Sequence, residues 1–124
     1  MKARILLIED NEQNLYLTTF ILEMNGYEVI QAREGAEGTR LANEVAPDLI
    51  LLDIQLPEMD GYQVAHALRS NPELDAVPIV AVTSYAMVGD RERILAAGCT
   101  GYIEKPINPD TFVAQVEEHL QTGA

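Results

Sequence analysis

Short apolar runs alternate along this chain with longer stretches in which apolar residues recur every three or four positions. The runs fall at residues 5–8, 29–30, 49–52, 79–82 and 102–103. Those at 49–52 and 79–82 are apolar on both faces, as central strands covered by helices on both sides require. Strand and helix patterns alternating five times predict an α/β fold with a parallel sheet. Right-handed crossovers make that sheet doubly wound. Its ligand site is then expected at the carboxyl ends of the strands, at the switch point.

The intervening stretches carry helix start and stop signals. A first helix is predicted over about 11–25, with Leu17, Thr18, Ile21 and Leu22 on one face and Gly26 after its end. A second spans about 36–45 and stops before Pro47. The third follows Asp60, a good N-cap, and turns Val64, Ala67 and Leu68 inward. A fourth is predicted near 88–97, ending at Gly98. The fifth begins around Asn108, places Pro109 in its first turn and buries Phe112, Val113, Val116 and Leu120.

Composition narrows the function. The 124 residues make one domain, spanning 1–124, long enough to bury a sizeable core without staples. Eight basic side chains face twenty acidic ones, a net charge of −12. Nucleic acid and an anionic membrane would both repel such a chain, so neither is expected as a partner. The single cysteine, Cys99, excludes an internal disulfide and a CxxC site, which fits a cytoplasmic setting. No apolar run approaches the ~18 residues of a membrane span.

The informative polar residues stand at the predicted strand ends. Glu9 and Asp10 end the first strand, Asp53 the third, Thr83 the fourth and Lys105 the fifth, just before Pro106. Any one of them reads as an ordinary loop residue. Together, a doubly wound sheet gathers three carboxylates, a hydroxyl and a lysine on one small surface. Two carboxylates about 4 Å apart repel by roughly 4 kcal/mol at an effective dielectric near 20. The cluster therefore needs a further cation, or one acid must take up a proton. A hard divalent ion answers this, and few protein ligands with room for water favour magnesium. Magnesium, a lysine and a hydroxyl together stabilise a phosphoryl group in transfer. Asp53, on a central strand, is then the nucleophile, since a carboxylate can form an aspartyl phosphate.

At these residues the chain resembles the receiver domains of two-component response regulators. The matching segments are Ile8-Glu9-Asp10-Asn11, Leu52-Asp53-Ile54-Gln55-Leu56-Pro57-Glu58-Met59-Asp60-Gly61, Val82-Thr83-Ser84 and Tyr102-Ile103-Glu104-Lys105-Pro106. Each is weak alone; in this order and at these spacings they are specific. The resemblance implies a flavodoxin-like sheet ordered 2-1-3-4-5 with five helices. It implies that Asp53 accepts phosphate from a histidine kinase or phosphotransfer protein, the chain being a phosphoacceptor rather than a turnover enzyme. Glu9 and Asp10 match the metal-binding acid pair, and Gln55 would lend its backbone carbonyl. Thr83 matches the hydroxyl that follows the phosphoryl group, Lys105 the lysine that contacts it before a commonly cis Pro106, and Tyr102 the switch aromatic. Ser84 departs from the family's usual small residue, and Gln55 and Tyr85 occupy positions that influence phosphate lifetime. More narrowly, residues 9–14 and 86–90 resemble single-domain regulators of the DivK type and receivers of hybrid kinases.

Two other classes fit less well. A flavin-binding electron carrier needs a Ser/Thr/Gly-rich phosphate loop after the first strand; here Glu9-Asp10-Asn11-Glu12 repels one. Aspartyl phosphatases often carry a second acid two residues after the nucleophile, where this chain has Gln55. With about four residues after the last predicted helix, no output domain is expected, so the signal passes to a downstream protein target by contact, or onward in a phosphorelay. Donor docking is expected at the rim, on Asn11, Asn14, Leu15, Pro106 and Ile107, with Leu15 and Ile107 as exposed apolar anchors. Tyr16 and Phe20, four apart on the outer side of the first helix, are candidates for a docking surface. His66 is expected in solvent, His119 at the edge of an apolar stripe, and Cys99 packed as a small apolar residue. Residues 90–93 read as a solvated charged face, with an interface on the fourth helix as the alternative.

Overall fold

A computed structural model describes residues 3–56, 60–84 and 88–122. Pro57, Glu58, Met59, Tyr85, Ala86 and Met87, named in the motifs above, lie outside the described residues. Five strands, β1 (Arg4–Ile8), β2 (Glu28–Ala32), β3 (Leu49–Asp53), β4 (Ile79–Thr83) and β5 (Gly101–Glu104), form one sheet ordered β2-β1-β3-β4-β5. Every pairing is parallel. The helices are α1 (Glu12–Met24), α2 (Gly35–Val45), α3 (Gly61–Arg69), α4 (Val88–Ala96) and α5 (Pro109–Thr122). The flavodoxin-like doubly wound architecture implied by the sequence is the one formed. A 3₁₀ turn, Pro72–Leu74, is an element that the apolar pattern did not announce.

The period-two geometry of strands divides the core into two layers. Ile5, Leu7, Leu49, Leu51, Val80, Val82 and Ile103 pack against α1 and α5 through Leu15, Leu22, Phe112 and Val116. Leu6, Ile8, Ile50, Leu52, Ile79 and Ala81 pack on the other face against Ala42 of α2, Val64, Ala65 and Leu68 of α3, and Ile94 of α4. All five residues of β3 and of β4 are buried. No helix among the described residues is long and apolar enough to cross a membrane.

The local signals act as expected. Asn11 Oδ1 accepts from Asn14 N–H at 3.0 Å and caps α1. Asp60 opens α3 with a reciprocal box, its Oδ1 accepting from Gln63 N–H at 2.9 Å. Asn108 Oδ1 accepts from Asp110 N–H at 3.0 Å at the start of α5. Gly26 (φ 90°) and Gly98 (φ 108°) take the left-handed conformation that ends α1 and α4.

Helix α1 corrects one expectation. Its buried residues are Leu15, Thr18 and Leu22, whereas Leu17 is 39% exposed and Ile21 half-buried. The helix is apolar almost all round, so spacing alone left its rotation undetermined. In α3 it is Ala65 that is buried with Val64 and Leu68, and Ala67 is half-buried.

Candidate functional site

The sheet brings its carboxyl-end polar residues together. Glu9 continues the β1 ladder, its N–H donating to Ala32 O at 2.9 Å, and is buried, while the next residue, Asp10, is exposed. Asp53 ends β3 and is also buried. Glu9, Asp10 and Asp53 each offer one oxygen, all within 4.8 Å of one another. Lys105 follows β5; its N–H donates to Thr83 O at 2.8 Å, tying the ends of β4 and β5 together. Its ammonium lies 3.2 Å from Asp53 Oδ1 and 3.5 Å from Glu9 Oε1. The Lys105–Pro106 bond is cis, as the resemblance implied.

Backbone donors complete the carboxylates' surroundings. Gln55 N–H donates to Asp53 Oδ1 at 3.0 Å and Asn11 N–H to Glu9 Oε2 at 3.2 Å. Both place a loop amide two residues beyond its acid, which fixes the side-chain direction. Gly61 lets α3 approach this loop: its N–H donates to Ile54 O at 2.8 Å, and a Cβ there would stand 2.8 Å from Asp53 O, too close for any other residue. The sequence motif ending in Asp60-Gly61 thus has a steric cause.

One lysine does not balance three acids. Burial, then a hydrogen bond to Asp53 and the charge of Asp53, push the Glu9 carboxyl up to about 7, against the pull of Lys105 and of the Asn11 amide. The excess charge is relieved either by a proton on Glu9 or by a cation. Oxygens about 2.1 Å from one magnesium ion stand roughly 3–4 Å apart, so the three carboxylates are within small rotations of a shared ion. Two of them are buried and one faces solvent, which leaves room for the water ligands magnesium retains.

Thr83, fully buried, ends β4. Tyr102 pairs with Ala81, two residues before Thr83 on the same face, so Thr83 and Tyr102 are diagonal neighbours on the side of α4. Tyr102 is half-buried. The docking residues divide. Asn14, Pro106 and Ile107 line a groove of about 320 Å³ together with Leu17, Ser84 and Lys105. Asn11 is exposed at the start of α1. Leu15 is only 2% exposed and packs in the core beneath α1, so it is no surface anchor; Leu17, one residue pair further along, holds that position. Tyr16 (70% exposed) and Phe20 (50% exposed) stack on the outer side of α1 with ring centroids 6.1 Å apart. His66 is exposed, and Cys99 is buried with its thiol pushed up to about 11 by burial. His119 packs over Gly101 of β5. The charged face at 90–93 is not simply solvated: Arg91 lies over the Tyr102 ring and Arg93 over Tyr62.

This architecture recurs in known proteins. Residues 5–117 match the response regulator receiver domain family. The polar-differentiation response regulator DivK of Brucella anthropi is 45% identical over 120 residues, covering 97% of this chain and 98% of that protein. Chemotaxis protein CheY4 of Vibrio cholerae superposes with a TM-score of 0.92 at 27% identity, over 96% of this chain and 99% of that one. The receiver domain of a sensor histidine kinase from Pseudomonas aeruginosa PAO1, described with a magnesium ion coordinated in the active site cleft, gives a TM-score of 0.89 at 33% identity, over 98% and 99%. The sheet order, the acid cluster and the match over nearly the whole length agree: this chain belongs to the response regulator receiver domains, the signalling switches of two-component systems.

Proposed function

We propose that residues 1–124 act as one cytoplasmic receiver domain, phosphorylated on Asp53 with magnesium held by Glu9, Asp10, Asp53 and the Gln55 carbonyl. The carrying observation is Lys105 Nζ at 3.2 Å from Asp53 Oδ1, beside two further acids. An Asp53 oxygen attacks phosphorus as the N–P bond of a donor phosphohistidine breaks. The imidazole nitrogen keeps the electron pair and takes up a proton. Magnesium, when bound, supplies positive charge to the transferring oxygens. Lys105 and the Thr83 hydroxyl neutralise and bind those oxygens from the β4–β5 side. By furnishing these groups the chain takes part in its own phosphorylation and dephosphorylation.

The donor's protein covers the rim. Asn14, Leu17, Pro106 and Ile107 line the groove beside the lysine and Asn11 is exposed at the start of α1, an apolar and neutral polar rim suited to transient contact. Phosphorylation then shifts a two-state packing of Thr83 and Tyr102 that a downstream protein reads. One labelling experiment with two donors tests both parts. Asp10→Asn removes a metal ligand, so magnesium affinity drops roughly tenfold or more, and labelling by acetyl phosphate and by a phosphorylated donor protein slows equally. Leu17→Asp slows only the second. Unchanged magnesium titration in the first variant contradicts the metal site; equal loss with both donors in the second contradicts the docking assignment.

A further inference from the structure

Arg91 of helix α4 reaches two side chains of β5. Tyr102 and Glu104 are two apart on β5 and point to the same face. The Arg91 guanidinium lies over the Tyr102 ring, 5.3 Å from its centroid, and Arg91 Nη2 stands 3.9 Å from Glu104 Oε1. Arg91 thus spans two successive side chains on one face of the strand, one by its planar face and one by its charge. We infer that Arg91 is a positioning residue for Tyr102. It holds the ring in its half-buried packing against α4 and sets how often the unphosphorylated chain leaves that packing. The consequence for signalling rests on the reading of Thr83 and Tyr102 as the coupling pair.

The physical basis is the attraction of a cation to the negative face of an aromatic ring. At an exposed site this shifts a two-state population by about two- to fivefold. The Glu104 pair is solvent-exposed on both sides and adds little energy by itself. Its part is to direct the guanidinium, so that the plane is already presented to the ring. A motion of Tyr102 toward Thr83 that carries the ring away from the guanidinium breaks the stack, and Arg91 then opposes switching before phosphate arrives. A built-in control lies two residues along α4. Arg93 makes the same type of contact with Tyr62 of α3, at 4.1 Å, away from β5.

The test follows the Tyr102 ring by NMR in the unphosphorylated full chain with labelled tyrosine, assigned through Tyr102→Phe. Arg91→Ala should raise the population of the second ring packing two- to fivefold. Arg91→Lys keeps the charge and the reach to Glu104 but loses the flat stack, and should fall between. Arg93→Ala should leave the Tyr102 signals as they are. Labelling by acetyl phosphate should rise in Arg91→Ala by the same factor, and that rise should vanish in a Tyr102→Leu background. Identical Tyr102 signals in Arg91→Ala and the parent chain would overturn the assignment, as would a labelling change that persists without the ring. A changed ring population with unchanged labelling would uphold the grip and sink the Thr83–Tyr102 coupling instead.

Discussion

The two ends of the sheet treat charge in opposite ways. At the amino ends, each arginine is surrounded by acceptors. Arg4 donates through Nε to Glu28 at 2.8 Å and through Nη1 to Val45 O, and its backbone exchanges bonds of 2.8 Å with Asp48. Arg69 donates to Gly98 O at 2.8 Å, Leu74 O at 2.7 Å and Thr100 Oγ1 at 3.2 Å, and so brackets α3, the 3₁₀ turn and the entry to β5. At the carboxyl ends, three carboxylates share one lysine. One end satisfies its charges and spends them on stability. The other keeps an unbalanced negative cluster, which a proton or a bound cation relieves. A fold can carry such a site because the stabilising arginines sit about a strand's length away from it.

Removing Lys105 breaks the comparison most severely. Lys105→Ala should lower labelling by acetyl phosphate on the order of 100-fold, while magnesium binds more tightly because the cluster has lost its internal counter-charge. Labelling rates at saturating magnesium, set beside a magnesium titration, check both signs. Weakened metal binding in this variant would mean that Lys105 organises the acids rather than neutralising them.

Arg69→Ala should do the reverse. It leaves three acceptors without a charged donor and should cost about 2–3 kcal/mol of stability, read from urea unfolding. Labelling per folded molecule should stay at the parent level. A labelling defect without loss of stability would mean the two ends are coupled.

A third consequence is a pH slope. Folded Glu9 holds its proton up to about pH 7, whereas an unfolded glutamate releases it near 4.5. The native state therefore binds more protons in that window. This group's contribution is fully present below pH 4.5 and is lost as pH rises through 7. Glu9→Gln should remove that part of the slope in metal-free buffer. Magnesium, if held by the native acids, should stabilise the parent chain more at pH 8 than at pH 6. A slope unchanged in Glu9→Gln would place the titration on another group.

The sequence carried the fold where its signals were local. The unbroken apolar runs of β3 and β4, the Asp60 cap and Gly98 all act as their residue types dictate. The site was legible because strand ends converge in a doubly wound sheet, so Glu9, Asp53 and Lys105 meet as their positions along the chain imply. What failed to show depends on tertiary partners. Helix α1 is apolar on most sides, so Leu15 and Leu17 were exchanged between core and surface. Edge strand β2 extends to Glu28 and Ala32 because pairing with β1, not hydrophobicity, sets its length. Arg91 and Arg93 looked like solvated charge, since nothing in their own helix announces the rings of Tyr102 and Tyr62.

The unbalanced end should accept a phosphoryl group on Asp53 and on no other acid. The product is a mixed anhydride, labile to base and hydroxylamine, and borohydride reduces it in place. Mass spectrometry of the chain after acetyl phosphate treatment and borohydride trapping locates it. Reduction is expected at Asp53 alone, and at no position in Asp53→Asn with its fold intact. A reduced Glu9 or Asp10 in the parent chain would contradict it.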